Sequence, residues 1–316
     1  MDRLPSLGTD IAAVLSPTMQ IYTELLQQNA SAIHSVSKGR DTFQYGRHPR
    51  QNLDIYSPKE VSTNSPIILW AHGGGLVAGD KNLPIPGDLV YSNVGYYFAS
   101  RGFTAVLINY RLVLSHDAKF PSGGEDIATA IEWIIEHFQG QSRALFGLGN
   151  SAGGIHWSTF LFHQAFASTI KKVTTSDGIR LRGVTLLSVP FEFTEAAPLR
   201  AKVLKTYFGD KVAERSPYGL MNSADESVWE PLERGAVQIH VGEFSLDPED
   251  EILLPARHFI ETWESKRSEA AAPKLVVSSW EGHNHISPFL ALGTDISREE
   301  EWGNELVEWM EAVRKN

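Results

Sequence analysis

An open, mostly parallel α/β sheet flanked by helices is the fold this chain predicts, on three observations. Short continuous apolar runs alternate with helix-length stretches, as at residues 66–71, 103–109 and 181–188. Runs of that kind are strands buried on both faces of a parallel sheet. The apolar run 143–146 leads into Gly147-Leu148-Gly149-Asn150-Ser151-Ala152-Gly153-Gly154, and residues 155–166 follow without Gly or Pro. That is a strand, a tight small-residue turn and a buried helix. Finally, His72-Gly73-Gly74-Gly75 lies just past another strand, where ligand sites of such sheets gather.

The elements follow in order. Residues 9–30 carry Ile11, Val14, Leu15, Ile21, Leu25 and Leu26 at helical spacing broken by Ser16-Pro17, which predicts one or two amphipathic helices. They either dock on the core or complete a lid. Residues 34–57 read as a hairpin of outer strands turning at Arg47-His48-Pro49. Strand 66–71, helix 91–100, strand 103–109 and helix 124–138 precede the Ser151 turn, and strand 181–188 follows it. Residues 190–231 break into Pro-interrupted aromatic pieces, too long for bare loop and therefore read as a cap or lid insertion. Strand 236–241, helix 249–265, strand 274–280 and helix 298–313 close the chain. The expected organisation is a helical cap segment at 1–30, a catalytic domain at 31–189 and 232–316, and the insertion between its parts.

Composition narrows the function. The 316 residues are 42% hydrophobic and 21% charged, ample for a core, and carry a net charge of −10 with no basic block. Nucleic acid and anionic membrane are thus poor partners. There is no cysteine, which removes disulfides, thiolate metal sites and a cysteine nucleophile. The beginning of the chain lacks the pattern of a signal peptide, and no run reaches the ~18–20 apolar residues of a membrane span, so a cytoplasmic location is expected.

The chemistry starts at Gly149-x-Ser151-x-Gly153, the nucleophile-elbow pattern. A backbone that doubles back so sharply leaves no room for flanking side chains, and it presents the serine above the first turn of a helix. Gly147-x-Gly149-x-x-Ala152 also fits a dinucleotide fingerprint. That reading lacks a strand ending in an acid about 20 residues on. The glycines after His72 let backbone N–H groups face a reacting oxygen, as an oxyanion hole requires.

Together, His72-Gly-Gly-Gly75 and Gly149-Asn-Ser-Ala-Gly-Gly154 resemble the hormone-sensitive-lipase-like carboxylesterase branch of the α/β-hydrolases, with kynurenine formamidases as near relatives. The likeness covers roughly residues 52–290. It implies Ser151 as nucleophile, and two of Gly73, Gly74 and Gly75 with Ala152 as oxyanion donors. The family order of serine, acid and histidine points to Asp247, with Asp250 as fallback, and to His285 rather than His283. Three departures stand out: Asn150 where many relatives carry Asp, Leu76 in place of an aromatic, and a spacer before Asp247 about two residues long beyond the usual. Leu76, Asn150, Phe191 and Tyr207 are candidate substrate contacts, and Tyr22, Leu25, Leu26, Phe193, Phe208, Tyr218 and Trp229 are further apolar material for a lid. The implied activity is cleavage of a small or aromatic carboxylic ester through an acyl-enzyme, with no metal and no organic cofactor. Amidase, formamidase or lactonase chemistry is the alternative, and a non-catalytic small-molecule-binding protein is the rival from another class. The partner is a small-molecule ester; oligomeric state is not legible.

Overall fold

A computed structural model of the chain describes residues 1–85, 87–194, 196–234, 236–269 and 275–315. Glu195 in the predicted insertion and Lys274 in the predicted strand 274–280 lie outside the described residues. The chain opens with α1 (Ile11–Gln28) and α2 (Ala30–Ser37). The first runs through Pro17, capped by Asp10 and held by the buried Val14, Ile21, Tyr22 and Leu26. The second occupies residues where the hairpin was expected to begin, because Ile33 buries itself among Tyr22, Leu26 and Val90.

Strands β1 (Asp41–Gln44), β2 (Asn52–Tyr56) and β3 (Ile67–Ala71) are followed by α3 (Ser92–Ala99), β4 (Thr104–Ile108) and α4 (Ser122–His137). Then come β5 (Arg143–Asn150), α5 (Ala152–Phe162), α6 (Ala167–Thr174) and β6 (Ile179–Leu187). The predicted insertion is helical: α7 (Pro198–Phe208), α8 (Val212–Arg215), α9 (Pro217–Ser223) and α10 (Glu226–Arg234). Strand β7 (Gln238–Leu246), α11 (Leu254–Glu269), β8 (Leu275–Asn284), α12 (Ser287–Ala291) and α13 (Ser297–Lys315) complete the chain.

The strands form one sheet in the order β1-β2-β4-β3-β5-β6-β7-β8, parallel from β4 through β8 with β1 and β2 antiparallel on the edge. Side chains of α4, α5 and α11 fill one face, and those of α3 and α13 the other. Strands β7 and β8 run several residues beyond their predicted ends, with a register irregularity between Phe244 and Leu246 and Leu246 opposite Asn284. The apparent spacer before Asp247 is therefore strand, so Asp247 stands at a strand end. Among the described residues, no helix is long and apolar enough to cross a membrane.

Candidate active site

Strand β5 ends in Asn150 and α5 begins at Ala152, so Ser151 alone makes the turn, at φ 50° and ψ −114°. A non-glycine residue pays about 1–3 kcal/mol for such a conformation and keeps it only where the surroundings enforce it. They do so by contact. A Cβ on Gly153 would fall on the carbonyl of Ala71 in β3, and one on Gly149 would meet the Gly153 carbonyl at 2.7 Å. Ser151 N donates to Leu187 O at 2.9 Å, tying the turn to β6.

The sheet brings the three predicted side chains together from the ends of β5, β7 and β8. Ser151 Oγ lies 3.0 Å from His285 Nε2, and His285 Nδ1 lies 2.9 Å from Asp247 Oδ1. With Nδ1–H donating to the carboxylate, Nε2 is left to accept the serine proton. Asp247 Oδ2 accepts from Ser188 Oγ at 2.7 Å and from Phe244 N at 2.9 Å, which fixes the carboxylate in its buried place. Asp250 instead lies in the turn Glu249–Leu253 before α11, beside Glu251, which pairs with Arg200. His283 points away from the serine. Its Nε2 donates to Glu299 O at 3.1 Å and its Nδ1 faces Ser287 Oγ at 2.8 Å.

Facing these three side chains, Gly73 lies beside the serine: a Cβ on it would stand 3.6 Å from Ser151 Cβ and only 2.8 Å from Asn150 Oδ1. Gly74 adopts φ 126°, and its carbonyl accepts from Val77 and Ala78, turning the loop back. Ala152 N belongs to the first turn of α5, whose amides have no carbonyl one turn earlier. The loop is anchored from behind. His72 Nδ1 donates to Gly73 O at 2.6 Å, and its ring stacks on Tyr110 at 4.3 Å. Arg50 donates to Gly79 O and Asp80 at 2.5 Å each, and approaches His72 Nε2 at 3.4 Å. Burial pushes the His72 pKa down to about 4, keeping it neutral beside that guanidinium.

Of the candidate substrate contacts, Asn150 adjoins the serine, and its buried Nδ2 has no hydrogen-bond partner among the described residues. Leu76, at φ 70°, is packed into the core. Phe191 stacks on Phe259 at 4.1 Å, and Tyr207 Oη accepts from Gly123 N, so both side chains are taken up by packing. Phe193 leans on Phe208, Trp229 on Trp263, and Tyr218 Oη accepts from Thr262, and these rings join the core on the sheet face that α4, α5 and α11 cover. Tyr22 and Leu26 are buried against α12, with Leu25 packed beside them. Arg50 and Ser188 escape sequence reasoning: each is a lone polar residue whose partner lies far along the chain.

Residues 53–201 match the family described as BD-FAE. Carboxylesterase 3B of Mus musculus is 29% identical over 140 residues, covering 40% of this chain and 23% of that protein. A probable isoprenylcysteine alpha-carbonyl methylesterase of Oryza sativa subsp. japonica is 25% identical over 264 residues, 78% of this chain and 56% of that one. The chain thus spans about a quarter of the length of the mammalian carboxylesterases it matches. Esterase B of Lactobacillus rhamnosis superposes with a TM-score of 0.67 at 17% identity, over 95% of this chain and 97% of that one. A hyperthermophilic esterase of the archaeon Pyrobaculum calidifontis gives 0.61 at 17%, over 94% of each. These superpositions establish the fold.

Proposed function

We propose that this chain, an α/β-hydrolase related to carboxylesterases, is a serine hydrolase cleaving carboxylic esters of small or aromatic substrates. The observation that carries the reading is the unbroken hydrogen-bonded line from Ser151 through His285 to Asp247. Ser151 Oγ attacks the acyl carbon while His285 Nε2 takes its proton, and Asp247 steadies the resulting imidazolium. The tetrahedral oxyanion is met by two of the Gly73, Gly74 and Gly75 amides with that of Ala152, backbone donors of the kind that stabilise developing charge. His285 then protonates the leaving alcohol, and water, activated by the same nitrogen, releases the acid. Helices α7 to α10 are the cap in this reading. Tyr207 of α7 holds Phe120 N, in the loop beyond β4, and Gly123 N, in the first turn of α4, and so stands at the end of the sheet where Ser151 lies.

The test is a panel of p-nitrophenyl esters of graded acyl length, run beside formyl-amides with wild type and Ser151→Ala. Turnover of short-acyl or aromatic esters, lost by on the order of 10⁶ in Ser151→Ala, supports the reading. Turnover that survives the substitution, or that is confined to emulsified long-chain lipid, overturns it, and a preference for the formyl-amides moves the reaction to amide cleavage.

A further inference from the structure

The histidine side of the site is held from an element that takes no part in the chemistry. Thr18, fully buried on α1, accepts a hydrogen bond from Asn284 Nδ2 at 2.9 Å. Oδ1 of the same amide accepts from Ile286 N at 3.1 Å and Ser287 N at 3.0 Å, and Asn284 N donates to Ser287 Oγ at 3.1 Å. These bonds straddle His285. One helical turn further along the same face of α1, Tyr22 Oη donates to Glu299 Oε2 at 2.6 Å, and Glu299 O takes the Nε2 proton of His283. Helix α1 therefore reaches the turn 283–287 by two routes, directly at Asn284 and through Glu299 at His283, and Asn284 carries the hold across His285 to Ile286 and Ser287.

Packing alone does not ask for this. Val14, Ile21 and Leu26 already bury the helix, and a valine would fill the space of Thr18. A buried polar pair between elements 266 positions apart gives direction to the turn, which apolar contact cannot. We propose that α1 is a brace for the base. Thr18 and Asn284 are positioning residues that hold the His285 ring within reach of Ser151 and Asp247 together, so α1 sets the reactivity of the serine and does not merely cover bound substrate. The proposal rests on the serine-hydrolase reading above. Displacing a reacting group by ~1 Å is enough to cost on the order of 10² in rate.

The test compares Thr18→Val, which keeps shape and loses the hydroxyl, with Thr18→Ser, which keeps the hydroxyl. Both are made in the full chain, with kcat and KM measured on a soluble p-nitrophenyl ester and the rate of fluorophosphonate labelling of Ser151 measured alongside. The expected result for Thr18→Val is a kcat and a labelling rate each lowered about tenfold with KM within about twofold, and for Thr18→Ser a return to near wild type. Should Thr18→Val fail to fold, Tyr22→Phe cuts the second tie while keeping its ring, and the same pattern is expected. Wild-type kcat and labelling in these variants would overturn the brace, as would a raised KM at unchanged kcat, the mark of a lid. A loss shared by Thr18→Ser would overturn it too, by tracing the effect to packing. A wild type that neither turns over esters nor labels defeats the hydrolase reading and the brace with it, whereas a reactive wild type with an equally reactive Thr18→Val defeats the brace alone.

Discussion

Ser151 and His285 meet at 3.0 Å, yet the backbone on the two sides of that contact is fixed by opposite means. On the serine side, geometry comes from side chains that are missing: β3 presses so closely on α5 that Gly153 can carry no Cβ. On the histidine side it comes from side chains that are present. Ser188 holds Asp247, Asn284 shapes the turn around His285, and Thr18 anchors Asn284. A site made by exclusion admits no addition and fails outright, whereas one made by hydrogen bonds loosens by degrees.

The sharpest way to break this contrast is an addition on the serine side. Gly153→Ala places a methyl group on the Ala71 carbonyl, so we expect a stability loss of about 3 kcal/mol or more, with activity lost. Denaturant unfolding checks it, and a stable, active variant would contradict close approach as the cause. On the opposite side, His285→Ala should lower kcat by on the order of 10⁶ with the fold retained. His283→Ala should keep kcat within about tenfold while losing about 2 kcal/mol of stability, because its ring bridges Ser287 and Glu299 O. The reverse ranking in paired kinetics and melts would reassign the base.

Smaller still are changes in the carboxylate. Asp247→Asn should cost on the order of 10⁴ in kcat by spoiling the imidazole tautomer. Ser188→Ala, which leaves Asp247 Oδ2 the Phe244 N–H alone, should cost only about tenfold. Were Asp250→Asn the damaging change and Asp247→Asn silent, the acid would be misassigned.

How much of this could be read from the sequence follows the same division. Exclusion is written as glycine, so the Ser151 turn and the loop after His72 were legible, as were the buried strands around them, such as β3 and β4, apolar in every residue but Thr104. The end of β7 was not. Glu243 and Ser245 look like loop, and only the pairing of Glu243 with Ser279, Phe244 with Trp280 and Leu246 with Asn284 shows the strand continuing to Asp247. Nor was the support of the histidine legible, since Thr18, Ser188 and Asn284 are ordinary polar residues whose partners lie 59 to 266 positions away. Helix α2 escaped because its few apolar residues, Ile33 among them, find their partners in α1 and the segment before α3.

A gentler perturbation acts on both sides at once. Burial pushes the pKa of His72, His240 and His283 down to about 4 and that of His156 to about 3. Each lies below the ~6.5 of an unfolded histidine. Below that pH the unfolded chain takes up protons the native state refuses. Stability is therefore fully present above ~6.5 and declines toward pH 4, by up to about 1.4 kcal/mol per pH unit for each histidine. Urea midpoints should fall between pH 7 and pH 5; a flat profile would mean that these rings are not held neutral.

The most direct test of the central claim is intact-mass and peptide mapping of the wild type after reaction with a fluorophosphonate, repeated on His285→Ala. One adduct, on Ser151, forming rapidly in the wild type and slower by several orders of magnitude in the variant, is the expected outcome. An unlabelled Ser151 in a folded protein, or labelling at the same rate without His285, would contradict the account.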